Sequence, residues 1–390
     1  MPRPKPSEPA PVDERLRDPD EMIRLGAVGE FLRPDATPAP HRAAIAERLD
    51  DTNETTRKMA VLVLGSIGPA AVNDLARGLD EKQPLAVRGM AAQALGQLGP
   101  NAVSTVEPLC RSLFSKDSNL RFQASFALGK IGSGSVAELR RVLKTPAAPP
   151  PTLSAAIDAL GWVGKEAKPS VPDIEDVARD AEDPALRLAC PTALVKITGK
   201  ASAGVPLLAK NLVECEDEEV RVESAKRIGE LRENGRGAEK ELLSATGDPS
   251  ARVRAKSAVA LATTGTPPSK SVPALRPLLV DKQNDVRVHA GMALAHIGPP
   301  ASPALPELKE MAKDPDPKVS KTSLEAIKAI EGKKRSKLSP MFAIKLTKRI
   351  MKLTKGSSKE VAEETDAVSA EERQDGPTED GSSEDSASAG

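Results

Sequence analysis

Three histidines, three cysteines and a recurring Gly-x-x-Gly are the features of this 390-residue chain that could carry chemistry on their own. A phosphate cradle needs a glycine turn between a strand and a helix, closed by Gly-Lys-Ser/Thr. Neither a strand-like run nor that closing triplet accompanies Gly65-Ser66-Ile67-Gly68 or its copies, so the glycines read as helix stops. His289 and His296 are seven residues apart, about 10 Å of rise along one helix, too far to share a metal. His41 stands alone. Cys110, Cys190 and Cys215 are odd in number and lack metal-ligand spacing, which fits a reducing compartment without structural disulfides. They read as core fillers, with Cys190 at a small-residue position. No catalytic, cofactor-binding or metal-binding residue is assigned. The expectation is a non-enzyme without cofactor or small-molecule substrate.

The elements that would position any site are set by a repeat. Four segments end alike: Leu64-Gly65-Ser66-Ile67-Gly68, Leu95-Gly96-Gln97-Leu98-Gly99, Leu128-Gly129-Lys130-Ile131-Gly132 and Leu160-Gly161-Trp162-Val163-Gly164. Seven residues before most of these leucines sits an arginine. The series is Arg24, Arg57, Arg88, Arg121, then Leu153 out of pattern, Arg187, Arg221, Arg254, Arg287 and finally Ser320. Its gaps run from 31 to 34 residues, which defines ten repeats. Val87, Ala91, Leu95 and Leu98 make one apolar stripe at helical spacing. Asp20, Asn53, Asp117, Asp183, Asp217 and Asp316, four before the arginine position, are expected N-caps. Gly68, Gly99, Gly132, Gly164 and Gly298 should end the helix in the left-handed region. Val171-Pro172, Val205-Pro206 and Val272-Pro273 should open the next helix, where proline is tolerated in the first turn. The spacing predicts two helices per repeat and an all-α, stacked solenoid.

Composition agrees. The chain has one Trp, five Phe and no Tyr, which suits thin layers of small residues. Its net formal charge is zero, so no overall field draws it to nucleic acid. No apolar signal run follows Met1, and no stretch reaches the roughly 18 apolar residues of a membrane span. A soluble cytoplasmic protein is expected.

Asp-x-x-x-Arg, the small residue three later, and Ala-Leu-Gly-x-Ile-Gly resemble the HEAT repeat, in the short form shared with phycobilisome-lyase-type HEAT-like proteins. The resemblance covers roughly residues 18–331. It implies an armadillo-like α-solenoid and a protein-binding scaffold. The deoxyhypusine hydroxylase family resembles the chain in its repeats and binds two irons through His-Glu pairs. Here Arg42, Ala290 and Ile297 follow the histidines, so the resemblance implies no such centre. The arginine series reads as a structural pair with the capping acids rather than a ladder for nucleic acid.

Repeat five departs from the pattern with Pro149-Pro150-Pro151, and Pro191 falls inside the second helix of repeat six. A bend is expected there, the alternative being plain drift. Residues 1–17 are Pro-rich and expected to be disordered, 18–332 form the solenoid, 333–355 hold nine Lys/Arg, and 356–390 form an acidic tail. Phe342, Leu346, Ile350 and Leu353 face one side of a basic helix, with Lys345, Lys348, Arg349 and Lys352 on the other. That helix could cap the solenoid, lie on an anionic membrane through 341–353, or engage an acidic partner.

The second helices of HEAT arrays line the concave face. Positions one, two, five and nine after the arginine should point outward. They hold Met59, Leu62, Met90, Phe122, Phe126 and Trp162, a candidate partner-binding patch. A register one residue off would bury these side chains instead. The expected function is a protein-interaction scaffold. Alternatives are an accessory subunit of a lyase or protein-modifying enzyme, or a nucleic-acid or membrane-surface binder working through the basic segment.

Overall fold

The computed structural model describes residues 10–332, and among them there is no strand. The chain divides at Ala274/Leu275 into two compact bodies. The first contains eight long second helices, from Glu21–Glu30 through Ser118–Ile131 and Pro150–Val163 to Ala251–Thr263. The second contains Asn284–Ile297 and Pro317–Glu331. Shorter first helices such as Val106–Ser112 and Val171–Arg179 precede them, most of them entered through a turn of 3-10 helix.

All six expected caps are made. Asp20, Asn53, Asp117, Asp183, Asp217 and Asp316 each accept backbone amides of the first turn. Val87, Ala91 and Leu95 are fully buried, as are Leu64, Leu128 and Leu160 at the same register as Leu95. Burying one such leucine contributes about 1.5–3 kcal/mol. Successive second helices meet through small residues. A methyl added at Gly96 would lie 3.0 Å from Ala127 Cα, and one at Gly229 would lie 3.2 Å from Ala260 Cα. This glycine–alanine seam brings neighbouring backbones together.

Several expectations are corrected. The helix-ending glycines have positive φ, but Gly68 at φ 84°, ψ −148° is outside the left-handed helical region, and Gly99, Gly132, Gly164 and Gly298 are alike. This conformation is essentially confined to glycine, and it sends the chain directly into the next 3-10 turn. Val272-Pro273 does not open its helix, which starts at Pro268, after Gly265 at φ 66°. The stretch 1–17 is ordered in part: Val12–Arg15 is a helical turn, and Leu16 is fully buried. Arg15 and Arg17 reach Glu30 and Glu47, which anchors that turn. The basic segment 333–355 and the acidic tail lie outside the described residues.

The arginines do not pair with the capping acids of their own repeats, whose carboxylates are occupied by amides. Arg24, Arg121 and Arg221 donate from Nη1 to the carbonyls six and five residues earlier, at 2.8–3.0 Å. In Arg24 and Arg221 the rest of the guanidinium reaches into the next repeat. Arg24 Nε and Nη2 donate to Asp51 at 2.6 and 3.0 Å, and Arg221 does the same to Asp248 at 2.9 and 3.2 Å. In the second body Arg287 pairs with Asp314 at 2.8 Å. Arg24, Arg221 and Arg287 are thus clips between repeats.

Pro191 sits inside the helix Pro184–Thr198. It has no amide to offer the carbonyl of Arg187, one helical turn earlier. Asn211 of the next repeat replaces it, its Nδ2 donating to that carbonyl at 2.8 Å. Asn211 is buried, 6% exposed. Asn211→Ala should therefore lower stability by about 1–3 kcal/mol, measured by urea denaturation.

Candidate functional site

Phe122 and Phe126 are four residues apart on Ser118–Ile131, so they share one face. Trp162 comes from the next second helix, Pro150–Val163. The three rings touch. Phe122 and Phe126 stack with centroids 6.4 Å apart, while Trp162 meets Phe122 edge-on at 5.9 Å and Phe126 at 5.8 Å. Edge-to-face contacts of this kind favour a fixed arrangement. Gly129 makes room for it, since a Cβ there would lie 2.7 Å from Trp162 Cβ. Phe122 remains 54% exposed and Trp162 38%, with Phe126 half-buried between them.

The other expected members of the patch divide. Leu62 is 52% exposed, two repeats away from the rings. Met59 and Met90 are half-buried and pack against the core; the Met59 methyl lies 3.2 Å from where a Cβ on Gly29 would be. Position two of the repeat is thus a flank position, and Met59 and Met90 do not point fully outward as expected. Phe342, Leu346, Ile350, Leu353, Lys345, Lys348, Arg349 and Lys352 fall outside the described residues.

Reading single residues missed the charges around the rings. Lys130 Nζ sits 5.3 Å from the Phe126 centroid, a cation–π contact. Lys130, Trp162 and Lys196 occupy position nine of three successive repeats, so the indole is bracketed by two lysines. Both lysines are exposed, and neither has a salt-bridge partner among the described residues. Asp158, four before Trp162, is exposed but has many protein atoms around it. Desolvation pushes its carboxyl above the ordinary range, with Lys196 and Arg227 pulling the other way. The repeat register contained this signal, because positions five and nine can be compared between repeats.

Nothing in this arrangement is a nucleophile–base pair. Cys110 and Cys190 are buried, and burial pushes each thiol up to about 12, so both are protonated near neutrality. His41 Nδ1 lies 2.8 Å from Asp13 Oδ1, and its ring is 5.2 Å from that of Phe31. Among the described residues, no three His, Cys, Asp or Glu side chains gather as metal ligands, and no helix is long and apolar enough to cross a membrane.

A family model described as HEAT repeats matches residues 10–96, 42–116, 73–150, 106–195, 205–290 and 272–343, well over half of the chain. No curated protein matches the sequence. Among solved structures, the karyopherin Kap121p bound to Pho4p superposes with TM-score 0.53 at 15% identity, covering 82% of this chain and 41% of that one. A homology model of the full-length AP-3 complex gives TM-score 0.50 at 15% identity, covering 75% of this chain and 57% of that one. Human deoxyhypusine hydroxylase is 21% identical over 69% of this chain and 99% of its own, with TM-score 0.31. The chain therefore spans about two fifths of the karyopherin's length, and these likenesses concern the fold alone.

Proposed function

Because the chain belongs to the HEAT-repeat family, we propose that it is a scaffold, without catalysis of its own, that holds another protein against the second helices of repeats four to six. The observation that carries this reading is the ring cluster of Phe122, Phe126 and Trp162, kept in contact with water although a core lies directly beneath it. Large exposed rings in a fixed arrangement are the usual anchors of an interface. Lys130 and Lys196 on either side add a preference for a partner with an apolar side chain flanked by carboxylates. The short repeat form, its kinship with phycobilisome-lyase-type repeats and a cytoplasmic setting belong to the same proposal. They rest on the sequence motifs.

The test is a double variant, Phe122→Ala with Trp162→Ala, used as bait beside the wild-type chain in native lysate. Losing two hot-spot rings should weaken capture about thirtyfold or more, at over 2 kcal/mol, while helicity by circular dichroism stays unchanged. A variant that captures the same proteins as the wild type would remove the reading. A variant that unfolds would show that the rings serve the core instead.

A further inference from the structure

A cleft of about 430 Å³ opens between the first helices Val171–Arg179 and Val205–Glu214, over the second helix Pro184–Thr198. Its size is in the range of small-molecule sites. The floor is apolar: Leu186, Cys190 and Leu194 are 6%, 1% and 1% exposed. The rim is polar, with Arg179, Arg187, Lys210 and Asn211 against Glu175. Arg179 already meets Asp176 at 3.0 Å, and Lys210 meets Glu214 at 4.0 Å, both pairs well exposed and so of little energetic weight.

Arg187 is the sixth arginine position of the series, and it lacks the carboxylate that three of its counterparts have. Arg24, Arg221 and Arg287 each find a carboxylate in the following repeat: Asp51, Asp248 and Asp314, six residues before the next arginine position. At this junction that position holds Cys215. Arg187 Nε is buried without a hydrogen-bond acceptor. Its Nη1 reaches Asn211 Oδ1 only at 3.5 Å, while the Asn211 amide is committed to the Arg187 carbonyl. Arg57, Arg88 and Arg287 share the orphaned Nε, but Arg57 and Arg287 keep carbonyl partners on Nη1. At Arg187 the unmet guanidinium also lines a cleft. Arg187 is half-buried, and its covered Nε gains from an anion that supplies the missing acceptor. The Cys190 thiol beneath is neutral, held so by burial.

We propose that this cleft binds an aliphatic carboxylic acid, whose carboxylate takes the place on Arg187 that Asp51, Asp248 and Asp314 take on Arg24, Arg221 and Arg287. The fork of Nε and Nη2 matches a carboxylate in two parallel hydrogen bonds. The aliphatic portion covers Leu186, Leu194 and Leu207. This site is separate from the ring cluster and goes beyond the expectation of a chain without small-molecule ligands.

The experiment is calorimetric titration of the full chain with sodium octanoate, with 1-octanol as the neutral control. Octanoate should saturate one site, and octanol should bind at least tenfold more weakly. Arg187→Gln should lower octanoate affinity about tenfold or more, the loss of charge-assisted hydrogen bonds. Cys215→Asp restores the missing internal carboxylate. It should abolish octanoate binding and raise the melting temperature, so the test survives even if Arg187→Gln folds poorly. Absence of saturable octanoate binding to the wild type would overturn the proposal. So would equal affinity for octanol, or octanoate binding unaffected by Cys215→Asp.

Discussion

Asp51→Ala should destabilise the first body by about 3–5 kcal/mol, the cost of leaving a buried charge without its partner. The Asp51 side chain is fully buried and that of Arg24 is 10% exposed. The carboxylate accepts from Arg24 twice, from Arg48 at 3.2 Å and from the Asn53 amide at 3.0 Å. Removing it strands two guanidiniums and one backbone amide. Replacing both partners, Arg24→Met with Asp51→Leu, should recover part of the loss, because the Arg24 charge is removed while Arg48 and the Asn53 amide still lack this acceptor. Urea denaturation followed by circular dichroism measures both, and an Asp51→Ala loss below 1 kcal/mol would show the clip to be idle.

The acid limb gives a second reading of the same pair. Burial raises the Asp51 carboxyl, but the Arg24 hydrogen bonds, the Asn53 amide and the charges of Arg24 and Arg48 outweigh it. The group is left below the ordinary aspartate value of 3.8. A depressed folded value means that ionised Asp51 favours folding. Its contribution is complete above 3.8 and is lost as pH falls through the lower folded value. Wild type and Asp51→Ala should therefore converge in stability on acidification in that window. Curves that stay parallel would contradict the assignment.

Gly204→Ala should cost about 3 kcal/mol, at the upper end of overpacking effects, although exchanging glycine for alanine usually stabilises through the unfolded chain. Its φ of −120° suits alanine, so strain in the backbone is not the reason. The added methyl would fall inside contact distance of the Pro191 carbonyl oxygen and 2.7 Å from Val195 Cγ2. A backbone carbonyl cannot swing aside as a long side chain can. Gly247→Ala is the control, because nothing lies within 4 Å of its added methyl, and it should be nearly neutral. Thermal melting of the two variants separates steric conflict from a general intolerance of substitution.

Gly204 and Asn211 also show where reading the sequence ends. The caps, the buried leucines and the ten-repeat period depend on neighbours a few residues away, and local pattern is enough to find them. Pro191 was visible as a defect in its helix. That Asn211 would supply the missing donor and Gly204 would admit the proline carbonyl depends on contacts 24 and 13 residues away, which no periodicity encodes. The arginines were legible as structural residues, but their partners lie 27 residues onward, set by how one repeat leans on the next. Phe122 and Trp162 were placed outward by register alone. Met59 and Met90 were not separable from them, because a flank position reads the same as an exposed one until its neighbour is known.

The glycine–alanine seam separates heredity of shape from heredity of specificity. Gly96 against Ala127 and Gly229 against Ala260 hold the helices by backbone proximity, and none of these four residues needs to reach the displayed face. Positions five and nine carry Phe126, Asp158, Lys130, Trp162 and Lys196 on the same mould. Mutations there can be sampled one at a time by drift, or many at once in a library, without renegotiating the fold. A lineage carrying this seam can acquire a new client by changing a few letters on one helix and keep every junction it inherited.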